Sequence, residues 1–257
     1  MRVLILLYGS VSYAIFLVAF LYAIVFVNDF PDVKTVSSGE GGPLTQAIIV
    51  NLLLLSLFAI QHTIMARPVF KAWFTKIVPT PAERPTFVLL ASLILCLMYW
   101  QWRPMPEVIW QTHNTALANG LIGMSLFGFL IVLYATFLIN HFDLFGLRQV
   151  WLYFKGVEYT PVEFKVNSLY KIVRNPLMTG FLIAFWFTPN LTQAHLLFAV
   201  VTTGYIFFGV FLEERDAAKA LGKEYLEYRS KTPMLIPFLK FGGGSAEEST
   251  RDKSESK

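Results

Sequence analysis

Residues 116–140 read ALANGLIGMSLFGFLIVLYATFLIN, an apolar run without one acidic or basic side chain, and 141–149 continue HFDLFGLRQ. A helix that crosses a bilayer needs about 20 such residues, so Ala116–Asn140 reads as a membrane span. Its Gly120, Gly123 and Gly128 are small enough to let a neighbouring helix approach, although no two are spaced as a strict Gly-x3-Gly pair. Working outward, Val3–Val27, Ala47–Met65 and Thr86–Trp102 read as earlier spans and Ala194–Leu212 as a later one. Val3–Val27 follows a lone Arg2, is longer than a signal-peptide apolar region and shows no convincing cleavage site, so it reads as an anchor. Pro176–Thr188 is apolar but only 13 residues long, roughly 20 Å of helix. With Ala194–Leu212 it makes a hairpin, turning at Pro189-Asn190, that crosses fully or partway and returns to its own side. The expected fold is all-α, a polytopic membrane helix bundle of five to six transmembrane helices.

Composition points the same way. Of 257 residues 55% are hydrophobic and 15% charged, whereas soluble domains run nearer ~25% charged. That argues against a soluble enzyme and against disorder over most of the chain. The length permits one domain, read as residues 1–238. From there Gly242-Gly243-Gly244-Ser245 leads into a Ser/Glu/Lys mixture that cannot bury a core, so 239–257 reads as a disordered polar tail. The net charge of +4 sets orientation and is not read as nucleic-acid binding. Cys96 is the only cysteine, which excludes a disulfide framework and a cysteine zinc site, and none of the four histidines forms an HxxxH pair, so no metal is expected.

Charge fixes the sides. Residues 28–46 carry a net −2 and residues 103–115 a net zero, while 66–85 carry +3 and 141–175 carry +2. Basic loops favour the cytoplasm. Both termini and the 66–85 and 141–175 loops are therefore placed inside.

The unusual polar residues share that side. Gln61-His62 lies near the end of the second span, Asn140-His141-Phe142-Asp143 closes the fourth, and Tyr170 and Arg174-Asn175-Pro176 open the fifth. Glu213-Glu214 closes the last. Ionisable groups near the hydrocarbon are costly and are functional candidates. Each has a bland reading too: His62 as an interhelical hydrogen-bonding group, Arg148 and Arg174 as positive-inside charges. Paired carboxylates at a helix C-terminus oppose its dipole, which suggests a bound cation or an arginine partner. Asn175 can cap the next helix through its side chain, Pro176 suits the first helical position, and the helix start offers N–H groups to a carboxylate. Residues 215–230 read as one amphipathic cytoplasmic helix with Leu221, Tyr225 and Tyr228 on one face, lying on the membrane or closing over a planar ligand. His113 and His195, on the outer side, read as structural.

The sequence Arg174-Asn175-Pro176-x-Met178-x-Gly180, then Glu213-Glu214-Arg215, Leu221-Gly222-Lys223-x-Tyr225-x-x-Tyr228 and Pro233/Pro237, resembles the C-terminal half of the isoprenylcysteine carboxyl methyltransferase superfamily. Asn175 and Met178 stand where that motif usually has His and Tyr, which argues against a prenylcysteine substrate. Gln61-His62-Thr63-Ile64-Met65-Ala66-Arg67, the Glu83-Arg84 pair and residues 140–149 bring nearly all of 1–238 closer to the bacterial methanethiol S-methyltransferases, related to the nurim and NnrU-like membrane proteins.

The resemblance implies methyl transfer from S-adenosylmethionine to methanethiol in the bacterial inner membrane, with the thiol and the lipid bilayer as partners. It leaves two alternatives open, a lipid or prenyl acceptor and a non-catalytic nurim-like protein, and it leaves the oligomeric state open. No Gly-x-Gly-x-x-Gly loop is present, which excludes a Rossmann-type donor site. Glu213 and Glu214 suit the donor's cationic groups. Arg174, Asn175 and the helix start at Pro176 and Met178 suit its carboxylate, and Tyr170, Tyr225 or Tyr228 its adenine. A neutral His can take the thiol proton: His141, oriented by Asp143, comes first and His62 second. The acceptor site is expected at Gln61, Phe142, Phe145 and Arg148.

Overall fold

The computed structural model describes residues 1–163 and 165–239, so the expected polar tail, past Leu239, lies outside the described residues. The helices are α1 (Arg2–Val27), α2 (Leu44–Ala66), α3 (Pro68–Phe74), α4 (Thr80–Gln101), α5 (Thr115–Ile139), α6 (His141–Leu144), α7 (Leu147–Lys155), α8 (Pro176–Trp186), α9 (Gln193–Leu221) and α10 (Lys223–Lys231). Among the described residues five of them, α1, α2, α4, α5 and α9, are long and apolar enough to cross a membrane. Leu4, Leu53, Leu130 and Phe211 each leave over 60% of their surface uncovered. An apolar sheath of that kind is stable only against lipid, so the chain is a multi-pass membrane protein. α8 has 11 residues, about 16 Å, and is too short to cross alone.

The interior is aromatic. Phe26, Tyr99, Trp102, Phe129 and Phe198 form one buried cluster, with Phe26 and Phe198 meeting Trp102 edge to face at 5.8 and 6.0 Å. α5 and α8 touch backbone to backbone. A Cβ on Gly128 would lie 2.5 Å from the Ala184 nitrogen, and one on Gly180 would lie 2.7 Å from the Gly128 oxygen. Of the three glycines in the fourth span only Gly128 makes this approach; Gly120 and Gly123 face open space.

One end of the bundle is knitted by loops. Strands β1 (Val108–Gln111) and β2 (Asn190–Thr192) pair antiparallel, Trp110 opposite Leu191. The Asn51 side chain accepts from Arg103 N at 2.8 Å and donates to its oxygen at 2.9 Å. His195, fully buried, donates through Nε2 to the Phe185 oxygen at 2.8 Å. α3, α6, α7 and α10 sit at the opposite end.

The boundaries differ from the sequence reading where polar residues continue a helix. α4 begins at Thr80, with Pro81 in its first turn, and so places Glu83 and Arg84 on helix rather than loop. α9 runs through Glu213-Glu214 to Leu221, because Ala217-Ala218-Lys219-Ala220 are strong helix formers. The carboxylates therefore sit two turns inside a helix, and the dipole argument does not apply to them. The single helix expected over 215–230 is broken at Gly222, whose φ of +59° favours glycine. α3, α7 and the strand pair were not expected.

Candidate active site

Residues from α8, α9 and α10 close on one buried ion pair. Arg174 Nε donates to Glu214 Oε1 at 2.6 Å and Nη2 to Oε2 at 3.0 Å, a two-pronged contact with both residues over 90% covered. Arg174 Nη1 donates to the Arg229 oxygen at 3.0 Å and to the Thr232 oxygen. Four of the five guanidinium N–H groups are thus engaged, and Arg174 has no free pair of prongs for a ligand carboxylate. Asn175 does not cap α8; its amide donates to Glu214 Oε1 at 3.3 Å and to the Met234 oxygen at 3.4 Å. Pro176 does occupy the first helical position. Met178 packs beside Ile206, Val210 and Leu235. Tyr228 donates to the Tyr170 oxygen at 2.6 Å and meets the buried Tyr225 ring at 6.0 Å. Burial, then the Glu213 charge, push the Tyr170 phenol up to about 12, and burial, then Glu214, push Tyr225 to about 12. Both stay protonated donors at neutral pH.

Glu213 is the odd member of the pair. One residue along an α-helix is about 100° around it, so Glu213 turns away from Arg174 and is exposed. The cations acting on it are Arg67 and Arg84. Arg67 is held by Asp216 at 2.8 Å.

His141 follows a sharp reversal at Asn140 (φ +149°), whose side chain accepts from Asp143 N at 3.1 Å and caps α6. Thr136 Oγ1 donates to the Leu133 oxygen at 2.6 Å, so it accepts from His141 Nδ1–H at 2.8 Å. That leaves Nε2 to accept from the Tyr13 hydroxyl at 2.7 Å. The ring is stacked on Phe137 at 4.4 Å and edged by Phe145 at 4.9 Å. Burial lowers its pKa and keeps it neutral. Asp143 does not orient it: that carboxylate takes Arg148 at 2.8 Å and the Tyr159 hydroxyl at 3.2 Å. Arg148 also donates to the Thr160 oxygen and Oγ1 at 2.8 and 2.9 Å, so it ties down a loop. Phe142 is half exposed with its edge on His141, whereas Phe145 points inward and stacks on Phe16 at 3.9 Å.

His62 is placed differently. It stacks on Phe58 at 5.3 Å and meets Phe87 at 4.8 Å. Its Nδ1 is buried without a partner, as is the neighbouring Gln61 Oε1, and Nε2 has no hydrogen bond among the described residues. Gln61 Nε2 donates to Met65 Sδ at 3.1 Å. Phe87, Met65 and Phe145 share one cluster, which joins the His62 and His141 neighbourhoods.

A cleft of about 600 Å³ opens beside these groups, lined among others by Lys71, Glu83, Arg84, Asp143, Gln149 and Tyr159. Sequence reasoning missed Tyr13 and Thr136, which carry no charge and sit inside apolar runs. It also left Arg84 without a role, although the Glu83-Arg84 pair was visible. No group of three or more His, Cys, Asp or Glu that could hold a metal occurs among the described residues.

No family model matches the chain, and no solved structure matches it. Among curated proteins, Methanethiol S-methyltransferase 2 of Bradyrhizobium diazoefficiens is 52% identical over 93% of this chain and 92% of its own. Methanethiol S-methyltransferase of Mycobacterium tuberculosis is 50% identical over 92% and 97%. Nurim of Mus musculus is 26% identical over 65% of this chain and 66% of its own. Identity at this level across nine tenths of both lengths means that the chain belongs to the methanethiol S-methyltransferase family.

Proposed function

We propose that this protein methylates methanethiol to dimethyl sulfide, with S-adenosylmethionine as methyl donor, at the membrane end that carries α3, α6, α7 and α10. The observation that carries the reading is the 50–52% identity to proteins named for this reaction, across nine tenths of the chain. We assign that end to the cytoplasm of a bacterial inner membrane, because its 66–85 and 141–175 loops carry the net positive charge.

When bound, S-adenosylmethionine supplies a methyl group on a cationic sulfur, open to attack by a thiolate. The residues fit such a donor. Glu213 offers an exposed carboxylate to the sulfonium, Tyr170 lies within reach of its charge, and Met178, Tyr225 and Tyr228 complete the wall on the Arg174–Glu214 side. Arg174, Asn175, Pro176 and Glu214 hold that wall in shape and do not grip the donor.

The acceptor must lose a proton, because thiolate is the nucleophile. His141 has both ring nitrogens hydrogen-bonded, by Thr136 and Tyr13. His62 has neither among the described residues, and its ring lies against Phe58 and Phe87. We therefore assign the base to His62, with Gln61 beside it, and give His141 the role of holding α5, α6 and α1 together. Phe87 and Phe145 exclude water between them. Attack cancels two opposite charges, so a dry site favours the step. The proton leaves from His62 to the cytoplasm once the thioether has gone.

Detergent-purified protein supplied with methanethiol and S-adenosylmethionine should release dimethyl sulfide into the headspace. Absence of the gas, or equal turnover of a prenylated cysteine, overturns the small-thiol reading.

A further inference from the structure

The cleft between α3–α4 and residues 139–159 contains polar groups that the fold leaves unanswered. Arg84 donates through Nε to the Leu144 oxygen at 2.7 Å and lies 4.9 Å over the Phe87 ring. Its two terminal nitrogens make no hydrogen bond or ion pair among the described residues. Lys71, which lines the same cleft, has no carboxylate partner among them either. Its amine is pushed down by burial first and then by the Arg84 charge, against an opposing pull from Glu83. On the opposite account, Glu83 Oε1 and Gln149 Oε1 are buried acceptors with no donor, and both residues line the cleft. The Gln149 amide nitrogen is occupied by the Asp143 oxygen at 3.0 Å. Asp143 is itself answered by Arg148 and Tyr159. What remains, among the described residues, is two cations that feel the Glu83 charge but touch no carboxylate directly, next to two buried acceptor atoms without a donor. A buried charge or acceptor without a partner is costly, and one ligand carrying both a carboxylate and an ammonium removes both deficits.

We propose that this cleft receives the amino-acid end of the methyl donor, its carboxylate on Arg84 with Lys71 and its ammonium on Glu83 Oε1 and Gln149 Oε1. The proposal rests on the donor reading above and refines it: Arg174, the residue the motif suggests for the carboxylate, is already engaged by Glu214. Arg84, which lines the cleft, lies within electrostatic reach of Glu213 on the donor side. A volume of about 600 Å³ is ample for an amino-acid moiety.

Two probes separate the ends of the donor. S-adenosylhomocysteine carries the amino acid; 5′-methylthioadenosine has the same nucleoside and thioether without it. By calorimetry on the detergent-purified full chain, Arg84→Met should weaken S-adenosylhomocysteine about 10- to 100-fold, the effect of losing a charge-assisted contact, and leave 5′-methylthioadenosine unchanged. Arg84→Lys should restore part of the loss. Gln149→Leu should show a smaller loss, about 3- to 10-fold, for S-adenosylhomocysteine alone. Retained binding of 5′-methylthioadenosine reports that each variant is folded. The proposal is overturned if Arg84→Met weakens both probes equally, or neither, or if the unaltered protein binds the two probes equally well. Failure of the unaltered protein to bind either probe overturns the donor reading itself.

Discussion

The Arg174–Glu214 knot and the Arg84 cleft hold the same kinds of side chain at the same end of the bundle, yet one is closed and the other open. In the knot all three guanidinium nitrogens find acceptors, and α8, α9 and α10 are joined by them. In the cleft the guanidinium has one partner, and two neighbouring acceptors have none. The histidines repeat the contrast: His141 is held at both nitrogens and His62 at neither. Buried polar groups in folded proteins are almost all satisfied, so saturation marks groups that hold chain segments together. His62 and the cleft acceptors, unsaturated at this end, are the ones we assign to incoming molecules, whereas His195 Nδ1 and Asn190 Oδ1 are unsaturated among the described residues at the opposite end.

Exchanging the two histidines tests this most severely. His62→Ala should lower turnover by about 10²–10⁴-fold, the usual contribution of a general base, with little change in melting temperature. His141→Ala should lower the melting temperature instead, and turnover only as far as folding is lost. The reverse result, measured by headspace rate and thermal melt together, would break the comparison.

Breaking the knot comes next. Arg174→Met leaves the buried Glu214 to the Asn175 amide at 3.3 Å and the longer Arg229 contact at 3.8 Å, at a cost of up to about 3–5 kcal/mol, visible as a lower melting temperature in detergent. Replacing both, as Arg174→Met with Glu214→Leu, should recover most of that loss, since packed apolar groups substitute well for a buried pair. An unchanged melt with a lost affinity for S-adenosylhomocysteine would return Arg174 to the donor site.

The smallest effect follows pH. Burial lowers the His141 pKa below its ordinary 6.5. Its unfolded form therefore binds the proton more readily, and stability is complete above pH ~6.5 and lost as pH falls toward the folded value. Melting temperature should drop on acidification through that range, and His141→Gln should remove this component. Tyr13→Phe, losing one hydrogen bond, should cost about 1 kcal/mol at neutral pH.

The membrane spans were legible because an apolar run of this length has one solution in lipid. Val3–Val27 and Ala116–Asn140 match their helices within a residue at each end. Polar stretches were less legible. Glu213-Glu214 read as a helix end because charge normally stops a span, whereas here helix-forming alanines carry α9 onward until Gly222. The site's residues were visible, its partnerships were not. Asp143, two positions from His141, reads in sequence as its companion, but the α6 turn sends it to Arg148. Tyr13 is 128 positions from His141 and meets it only because α1 packs against that end. Such pairings depend on how helices are rotated about their axes, which an apolar run does not encode.

The glycine contact between α5 and α8 has a consequence for how the chain tolerates change in length. Gly128 lies about 16 Å below the end of α5, and Gly180 about 6 Å above the start of α8. With the two backbones touching at these points, the height of His141 relative to Arg174 is set by two rigid rods measured from a common mark. The connection between them does not set it. Extra residues spliced in after Thr160 therefore leave the two halves of the site in step. A single methyl on either glycine slides one rod along the other and carries the ion-pair knot away from the Tyr13–His141 bond.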